Sequence, residues 1–167
     1  MHYNKKLLKE FYEENKEDKA PERTCCCTRG KPCPLQGKCL TQDIIYRAKI
    51  SATDTEDKFY IGLTAPPFKK RFSNHKSSFK NLDYSQSTTL SSYVWQLKNE
   101  GKNPSVSFSI LQKSKSFTPE ILKCYLCTAE KMRILFADPS KTINKRSEIM
   151  STCRHKRKFL LSQIPST

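Results

Sequence analysis

The amino-acid sequence predicts an α+β fold, in which a small three-stranded antiparallel β-sheet is flanked by helices and preceded by a cysteine-rich turn. Apolar and polar residues alternate at 44–50 and 105–110, which predicts strands there, and a further strand is predicted at 59–64. Apolar residues recur at helical spacing in the segments between and after these strands. Cysteines, prolines and glycines crowd into residues 25–39, a composition that suits a turn wrapped around a metal.

The first two predicted strands form a hairpin. Residues 51–57 are polar and suit the hairpin loop, so the segment 59–64 is expected to return antiparallel to the first strand. Four residues of the first strand alternate on the one face that is predicted to be buried: Ile44, Tyr46, Ala48 and Ile50.

A helix is predicted directly after the hairpin. Pro66 and Pro67 suit its opening, because proline is tolerated in the first turn of a helix. Arg71 and His75 are four residues apart and therefore share one stripe of this helix. Three aromatic side chains are predicted to face the sheet: Phe68, Phe72 and Phe79.

The second half of the chain is predicted to hold a second helix, the third strand and a longer third helix. Thr88 or Thr89 caps the second helix, which stops at Gly101. The third helix is predicted to run from near Pro119 to just before Pro139, and a basic helical segment at 149–161 closes the fold. The residues predicted to point inward are Leu90, Tyr93, Val94 and Leu97 in the second helix, Val106, Phe108 and Ile110 in the strand, and Ile121, Leu122, Tyr125, Leu126, Ala129, Met132 and Leu135 in the third helix.

The chain carries a large positive charge, which favours a polyanionic partner. Its 167 residues include 31 Lys and Arg against 16 Asp and Glu, a net charge of +15. From Gln42 onward there are 22 basic and 10 acidic residues, a surplus of 12, so the charge belongs to the folded part. Because such a field attracts phosphate-bearing chains, DNA is the expected partner.

Two absences in the sequence bear on the eight cysteines. No apolar run approaches the roughly 18 residues that a membrane span needs, so no membrane association is expected. The segment 1–6 lacks the apolar stretch of a secretory signal, which predicts an intracellular protein with reduced thiols. Short paired spacings of reduced cysteines point to metal binding.

Zinc is the metal that these cysteines predict, as a structural ion. Three close pairs offer six ligands, whereas a tetrahedral zinc takes four. The predicted set is Cys33, Cys39, Cys124 and Cys127, with Cys153 and His155 as substitutes and Cys25 to Cys27 as extras. Cys127 lies close to Glu130, so a zinc there would hold the third helix in place.

Six motifs, in order, resemble a known family of nucleases. The segments Ile45-Tyr46 and Tyr60-Ile61-Gly62, followed by Arg71 and His75, resemble the opening of the GIY-YIG nucleases, with Ile44 in place of the first glycine. The resemblance is closer to one branch, the endonuclease domain of Penelope-like retroelements, and extends over residues 25–161. The motifs that carry it are Cys33-Pro34-Leu35-Gln36-Gly37-Lys38-Cys39-Leu40, Tyr60-Ile61-Gly62-Leu63-Thr64, Asn74-His75-Lys76, Cys124-Tyr125-Leu126-Cys127, Asn144-Lys145-Arg146-Ser147-Glu148 and Cys153-Arg154-His155.

The resemblance implies a DNA endonuclease that nicks its substrate by hydrolysing a phosphodiester bond. Glu130 would be the ligand of a catalytic Mg²⁺ or Mn²⁺. Arg71 would hold the scissile phosphate, and Asn144 would orient the surroundings of Glu130. The implied catalytic set is Tyr46, Tyr60, Arg71, His75, Glu130 and Asn144.

Two residues compete for the role of general base. The family resemblance favours Tyr46, with His75 in contact with the phosphate. Tyrosine has an unperturbed pKa of about 10, so about 4 kcal/mol of stabilisation is needed to bring it to 7. Lys49 and Arg71 could supply part of that energy. Histidine, with an unperturbed pKa near 6.5, needs no such shift, so by pKa alone His75 is the better base.

The resemblance also implies the biological setting. The nick would prime reverse transcription at a target in nuclear DNA, with a reverse transcriptase domain or element RNA as further partners in a longer protein. A non-catalytic, basic, zinc-containing module that binds nucleic acid is the alternative. The residues expected to contact DNA phosphates are Lys49, Lys69, Lys70, Lys76, Lys145 and Arg146.

Three segments organise the chain in this interpretation. Residues 1–24 form a charged linker or truncated connector, and residues 25–43 form a cysteine-rich zinc-binding segment. Residues 44–161 form the GIY-YIG-like endonuclease domain.

Overall fold

A computed structural model describes residues 23–28, 31–115 and 117–156. Its α+β class and three-stranded antiparallel sheet confirm the predicted architecture, and the strands lie in the order β2-β1-β3. A second, two-stranded sheet pairs two short strands, β4 and β5. The strands are β1 (Ile44–Ser51), β2 (Lys58–Thr64), β3 (Ser105–Lys113), β4 (Phe117–Thr118) and β5 (Lys123–Cys124), and the α-helices are α1 (Phe68–Ser78), α2 (Thr89–Asn99), α3 (Tyr125–Leu135) and α4 (Arg146–Met150). The 3-10 helices are Leu82–Tyr84 and Pro119–Ile121.

The larger core lies between one face of the sheet and the helices α1 and α2. The predicted alternation of β1 is confirmed, since its four inward residues are all buried there. The aromatic residues of α1 and the apolar stripe of α2 pack against them, as predicted. Burial of each such side chain contributes about 1.5–3 kcal/mol. The buried members are Leu35, Ile44, Tyr46, Ala48, Ile50, Tyr60, Phe68, Leu90, Val94, Leu97 and Phe108.

A smaller core covers the opposite face of the sheet, which corrects the expectation of a single buried face. Ile45 is fully buried there, and β1 shifts register against β3 between Ile45 and Tyr46. Helix α3 supplies Leu126 and Ile134 to this second core. The central strand β1 is therefore buried on both faces at Ile45, where α3 packs, whereas Arg47 and Lys49 on the same face stay exposed as the alternation predicts.

The boundaries of α1 and α2 follow from their end residues. Pro67 directly precedes α1, where a missing backbone N–H costs nothing. Thr88 caps α2 by accepting a hydrogen bond from the Ser91 backbone N–H at 3.1 Å, which confirms one of the two predicted caps. Gly101 takes a left-handed conformation with φ of +74° just beyond the end of α2.

Helix α3 begins later than predicted, at Tyr125 rather than near Pro119. Leu122 takes a left-handed conformation with φ of 50°, which interrupts a helix. The residues on either side of the 3-10 turn then pair as β4 and β5. Within this shorter helix, Leu126 and Ala129 face inward as predicted. Four residues predicted to point inward are exposed instead: Leu122, Tyr125, Met132 and Leu135.

The segment after α3 covers the free edge of β2. The Phe59 backbone N–H donates to the Lys141 carbonyl at 2.8 Å, and the Ile143 N–H donates to the Phe59 carbonyl at 2.9 Å. This segment therefore runs parallel to β2 and satisfies backbone groups that an edge strand would leave open. The residues that follow this segment are therefore held against β2.

The described part of the chain ends shortly after α4. The predicted closing helix at 149–161 is not formed through Ser151, whose backbone is extended, and residues 157–161 lie outside the described residues. Most of the predicted linker, residues 1–22, also lies outside them. Among the described residues, none of the helices has the length and apolar character needed to cross a membrane.

Candidate active site and metal centres

A pocket of about 610 Å³ gathers residues from β2, three helices and the segment that follows α4. Tyr60 comes from β2, Lys70 and Arg71 come from α1, and Glu130 comes from α3. Glu148 of α4 also lines it. Three of the six residues that the sequence predicted to be catalytic therefore line one cavity: Tyr60, Arg71 and Glu130.

Tyr46 lies fully buried beside this pocket and connects Arg71 to His75, another of the predicted residues. Its hydroxyl lies 3.0 Å from Arg71 Nε and 2.8 Å from His75 Nε2. Because Arg71 Nε can only donate, the Tyr46 oxygen accepts from it. We assign the Tyr46 hydroxyl hydrogen to the contact with His75 Nε2, which places the His75 proton on Nδ1.

Burial lowers the pKa of His75 and raises the pKa values of Tyr46 and Tyr60. Burial, and then the neighbouring Arg71 cation, lower the pKa of His75 to about 3, so the imidazole is neutral near pH 7. Burial also raises the pKa of Tyr46 and that of Tyr60 above their usual value, although Arg71 opposes the shift at both. Both tyrosines are therefore neutral hydroxyls in this structure, and neither is a resting phenolate.

Gly62 explains the glycine of the Tyr60-Ile61-Gly62 motif. It lies opposite Tyr46 in the β1–β2 pairing. A Cβ atom at this position would lie 2.7 Å from the Tyr46 hydroxyl oxygen and 2.9 Å from Tyr60 Cε1. Because these distances are shorter than van der Waals contact, only glycine allows the Tyr46 hydroxyl to lie against the backbone of β2.

Glu130 is a carboxylate in a setting that disfavours its own charge. Burial and the nearby Glu148 carboxylate raise the pKa of Glu130 to about 7, while Arg71 and the Leu63 backbone N–H lower it. Two carboxylates that face one partly buried pocket leave a charge that a divalent cation would compensate. Oxygen donors of this kind suit Mg²⁺ or Mn²⁺, so the residues present fit such an ion.

Asn144 holds β2 rather than contacting Glu130. Its Oδ1 accepts from the Ile61 backbone N–H and its Nδ2 donates to the Ile61 carbonyl, both at 2.8 Å. The side chain thus continues the backbone pairing made by the preceding segment. Asn144 Nδ2 also donates to Glu148 Oε2 at 2.6 Å. Asn144 is therefore connected to the pocket through its hydrogen bond to Glu148.

Glu148 also lines the pocket, although it was not among the catalytic residues predicted from the sequence. One of its carboxylate oxygens, Oε1, accepts from Thr89 Oγ1 at 2.7 Å while the other accepts from Asn144. It thereby connects α4 to the start of α2 and to β2. Its place in the same motif as Asn144, four residues further along the chain, is the signal that could have identified it.

Four cysteines form the first group of potential metal ligands: Cys25, Cys27, Cys33 and Cys39. The Cys27 and Cys39 sulfurs are 3.7 Å apart, and those of Cys39 and Cys25 are 3.6 Å apart. Thiolates about 2.3 Å from a tetrahedral zinc lie roughly 3.8 Å from each other, so this spacing fits.

The turn around Cys33 also suits a thiolate. Burial opposes ionisation of Cys33, but the backbone N–H groups of Leu35 and Gly37 lower its pKa to about 6. Gly37, with φ of 90°, makes the tight turn that directs these N–H groups at the sulfur. A metal ligand must be deprotonated, so this geometry favours metal binding.

Three cysteines and a histidine form the second group: Cys124, Cys127, Cys153 and His155. His155 Nδ1 lies 3.4 Å from the Cys124 sulfur, 3.2 Å from that of Cys127 and 3.7 Å from that of Cys153. Nitrogen and sulfur ligands of one tetrahedral zinc lie roughly 3.6 Å apart, so these four fit one ion.

The structure thus divides the predicted zinc set between two groups. Cys33 and Cys39 belong to one group and Cys124 and Cys127 to the other, so these four do not form one site. Sequence spacing finds neighbouring pairs, but only the fold determines which pairs meet. Either group could hold a structural metal such as zinc. Cys26 belongs to neither group and accepts a hydrogen bond from Lys69 Nζ at 3.0 Å.

Each metal group lies at the start of a helix that carries pocket residues. The carbonyl of Cys39 accepts from the Lys69 backbone N–H at 2.8 Å, which satisfies one of the open donors at the start of α1. Cys124 directly precedes α3 and Cys127 lies in its first turn. A metal in each group would therefore fix α1 with Arg71, and α3 with Glu130.

The residues predicted to bind DNA phosphates lie in different surroundings. Lys70 lines the pocket. Lys49 forms a salt bridge of 2.7 Å with Asp57 on the surface. Lys76 is exposed on α1, and Lys145 and Arg146 are exposed at the start of α4. Lys69 is the partner of Cys26.

No protein-family model, curated protein or solved structure matches this chain. Its function is therefore inferred from the pocket geometry and from the motifs in its sequence.

Proposed function

We propose that this chain is a metal-dependent DNA endonuclease of the GIY-YIG type, from the branch found in Penelope-like retroelements. The observation that carries the proposal is the pocket in which Arg71, Glu130 and Tyr60 meet, with Tyr46 and His75 hydrogen-bonded directly behind Arg71. A guanidinium beside a carboxylate provides the two charges that phosphodiester hydrolysis requires, one for the phosphate and one for a cation.

Arg71 binds the scissile phosphate in this proposal. Its guanidinium lines the pocket while Nε is held by the buried Tyr46 hydroxyl, so the side chain is fixed before substrate arrives. The neighbouring Lys70 adds a second cation to the same wall. Both donors favour a substrate with negatively charged oxygens over a neutral one.

Tyr46 and His75 act together as the proton-accepting group. The Tyr46 hydroxyl hydrogen already points to His75 Nε2, so Tyr46 can accept a proton from water while its own proton moves to His75. Burial and the Arg71 cation oppose a charged His75 in the free protein. A phosphate bound at Arg71 neutralises the second of these effects, which couples proton transfer to substrate binding.

Glu130 would hold the Mg²⁺ or Mn²⁺ ion, with Glu148 beside it. Such an ion, when bound, stabilises the charge that develops on the leaving oxygen. Glu148 accepts from Thr89 and Asn144, so it also fixes the position of α4 against the pocket. The two cysteine groups would hold structural zinc.

The proposed biological role is to nick nuclear DNA and so provide a 3′ end for reverse transcription. A reverse transcriptase domain or element RNA would be the further partner. The alternative, a basic module that binds nucleic acid without cleaving it, predicts the same affinity for DNA but no cleavage.

A plasmid assay tests the proposal. Purified protein should convert supercoiled plasmid into the open circular form with Mg²⁺ or Mn²⁺ present, and should leave it intact when neither ion is added. Arg71→Ala should lose nicking, since one preorganised charge is worth about 100- to 1,000-fold in rate. Binding without nicking in every divalent metal tested would support the non-catalytic module instead.

A further inference from the structure

A second concave surface lies on the opposite face of the sheet, beyond the end of α3. It encloses about 320 Å³, within the range of roughly 300–1,000 Å³ that ligand sites occupy. We call it the Phe136 groove and define it by six of its lining residues: Arg47, Phe59, Arg133, Phe136, Asp138 and Lys141. None of these residues belongs to the proposed active site or to a cysteine group.

The groove offers aromatic surface to solvent. Phe136 is 77% exposed, which is unusual for a side chain of this size. Phe59 is only partly buried, and the Arg47 guanidinium lies over its ring, 5.1 Å from the centroid. A flat guanidinium and an exposed ring are both surfaces on which a nucleobase can stack.

The groove is also positively charged. Arg47, Arg133 and Lys141 contribute three cations, against the single carboxylate of Asp138. Within the described part of the chain none of these cations forms a salt bridge. The Asp138 carboxylate accepts from the backbone N–H and the hydroxyl of Ser140, at 2.9 and 2.6 Å. The uncompensated charge therefore favours a ligand that carries phosphates.

We propose that the Phe136 groove binds an unpaired DNA strand. Aromatic side chains can stack only on bases whose faces are open, and a duplex hides these faces in its own stack. A purely apolar partner would leave the three cations without counter-charges, whereas a single strand satisfies rings and cations together. The choice of DNA rests on the proposed function, because DNA is the substrate of the proposed active site.

Helix α3 connects the groove to that site. Glu130 lines the pocket and Arg133 lines the groove, three residues apart on the same helix. From Glu130 to Phe136 the helical rise is about 9 Å at about 1.5 Å per residue. Along α3 this separation is short enough for one DNA strand to contact both the pocket and the groove.

Fluorescence anisotropy with a labelled 12-nucleotide oligo-dT, in buffer without added Mg²⁺ or Mn²⁺ to prevent cleavage, tests the groove. Phe136→Ala should weaken binding of the oligonucleotide by about 5- to 100-fold, since stacking on one aromatic side chain is worth roughly 1–3 kcal/mol per base. Arg47→Ala should weaken it and flatten its salt dependence. Leu135→Ala is the matched control, since Leu135 is 60% exposed, precedes Phe136 and lies outside the groove. It should bind like wild type.

The outcomes separate this proposal from the proposed function. Phe136→Ala should bind a blunt duplex within about twofold of wild type. Selective loss of oligo-dT binding supports the groove even if no variant nicks DNA. Equal oligo-dT affinity in Phe136→Ala and wild type overturns it, as does an equal loss with Leu135→Ala. Tighter binding of oligo-rU than of oligo-dT, with the same dependence on Phe136, would overturn the assignment to DNA.

Discussion

The hydroxyl of Tyr46 is the atom around which the proposed chemistry is built. It accepts from Arg71 and donates to His75, and the backbone of Gly62 packs against it. Each neighbour constrains the others: the Arg71 donor sets the direction of the Tyr46 proton, and that direction sets the His75 tautomer. A single buried oxygen thus links the positions of three polar side chains.

The buried, neutral His75 should make stability depend on pH. Its pKa is about 3 in the folded protein and near 6.5 when unfolded, so the unfolded chain takes up the proton first as pH falls. The stabilising effect of a neutral imidazole is fully present above pH 6.5 and is lost as pH decreases towards 3. Between pH 7 and 5 the loss should be about 2 kcal/mol.

Urea unfolding of wild type and His75→Gln at both pH values measures this effect. Glutamine does not titrate, so the wild-type free energy of unfolding should fall by about 2 kcal/mol more than that of the variant. Both proteins keep the same cysteine groups, so any acid effect on those groups cancels in the comparison. Parallel pH dependence in the two proteins would rule out a depressed pKa for His75.

Gly62→Ala should destabilise the protein through contact with Tyr46. The added methyl group would lie 2.7 Å from the Tyr46 oxygen, and overpacking of this kind typically costs about 1–3 kcal/mol. The double variant with Tyr46→Ala should lose less stability than the sum of the two single changes, because the contacts of 2.7 Å to the Tyr46 oxygen and 2.8 Å to its Cζ are both removed. Strict additivity in urea unfolding would show that the two residues do not touch.

At the scale of single residues, the sequence analysis singled out Tyr46, Arg71 and His75 but predicted few of the contacts between them. Helical spacing placed Arg71 and His75 together, and the structure directs both to Tyr46. Lys49 was expected to help stabilise Tyr46, yet it pairs with Asp57. Glu148 was missed because its significance depends on Asn144 and on tertiary packing, which spacing along a chain does not reveal.

At the scale of elements, two of the three helices that carry pocket residues begin beside a group of potential metal ligands. The first group includes Cys39, whose carbonyl caps α1, and the second includes Cys124 and Cys127 at the start of α3. Two short helices of 11 residues each gain little stability by themselves in water. Metal binding would therefore fix the relative positions of Arg71 and Glu130.

The protein should bind two zinc ions rather than the single ion that the sequence predicted. Elemental analysis of purified protein should give about two zinc per chain, because each group offers four ligands. Cys27→Ser and Cys127→Ser should each reduce zinc affinity and thermal stability, since structural zinc can be worth about 10–16 kcal/mol of apparent binding energy.

Cys26→Ser is the matched control for both zinc variants. Cys26 lies between two members of the first group but is not one of them. This variant should keep two zinc ions and wild-type stability. Folded protein that carries no zinc would show that the eight cysteines are reduced thiols without a metal role.

The elements themselves were predictable to different degrees. The sheet and α1 and α2 followed from alternation, helical spacing and caps, because in these segments local preference and burial agree. The start of α3 did not, since the left-handed Leu122 and the pairing of β4 with β5 override an apolar pattern that reads as helix. The two ligand groups combine distant segments, which no local pattern encodes.

At the scale of the whole molecule, charge determines how strongly the protein binds nucleic acid. The net charge of +15 is present on a chain with only 16 acidic residues. Cations line the proposed active site on one side, at Lys70 and Arg71, and the Phe136 groove on the other, at Arg133 and Lys141. Binding is therefore expected to extend over both surfaces.

Affinity for duplex DNA should fall steeply with salt. Each neutralised phosphate contributes about 0.9 to the slope of log affinity against log salt concentration. Lys70→Ala removes a pocket cation and should reduce the slope by about one unit. Lys49→Ala, whose cation is paired with Asp57, should leave it unchanged. A slope near zero for wild type would contradict binding to a polyanion.

The most direct test of the proposed function is the plasmid-nicking rate of Glu130→Gln in Mg²⁺. Glutamine keeps the size of the side chain but removes the charge that would hold the cation. The account predicts that nicking falls by about 100-fold or more while DNA affinity stays equal or increases slightly. The matched control Glu120→Gln, an exposed carboxylate outside the pocket, should nick like wild type. Nicking by Glu130→Gln at the wild-type rate would contradict the assignment of Glu130 and of this pocket as the active site.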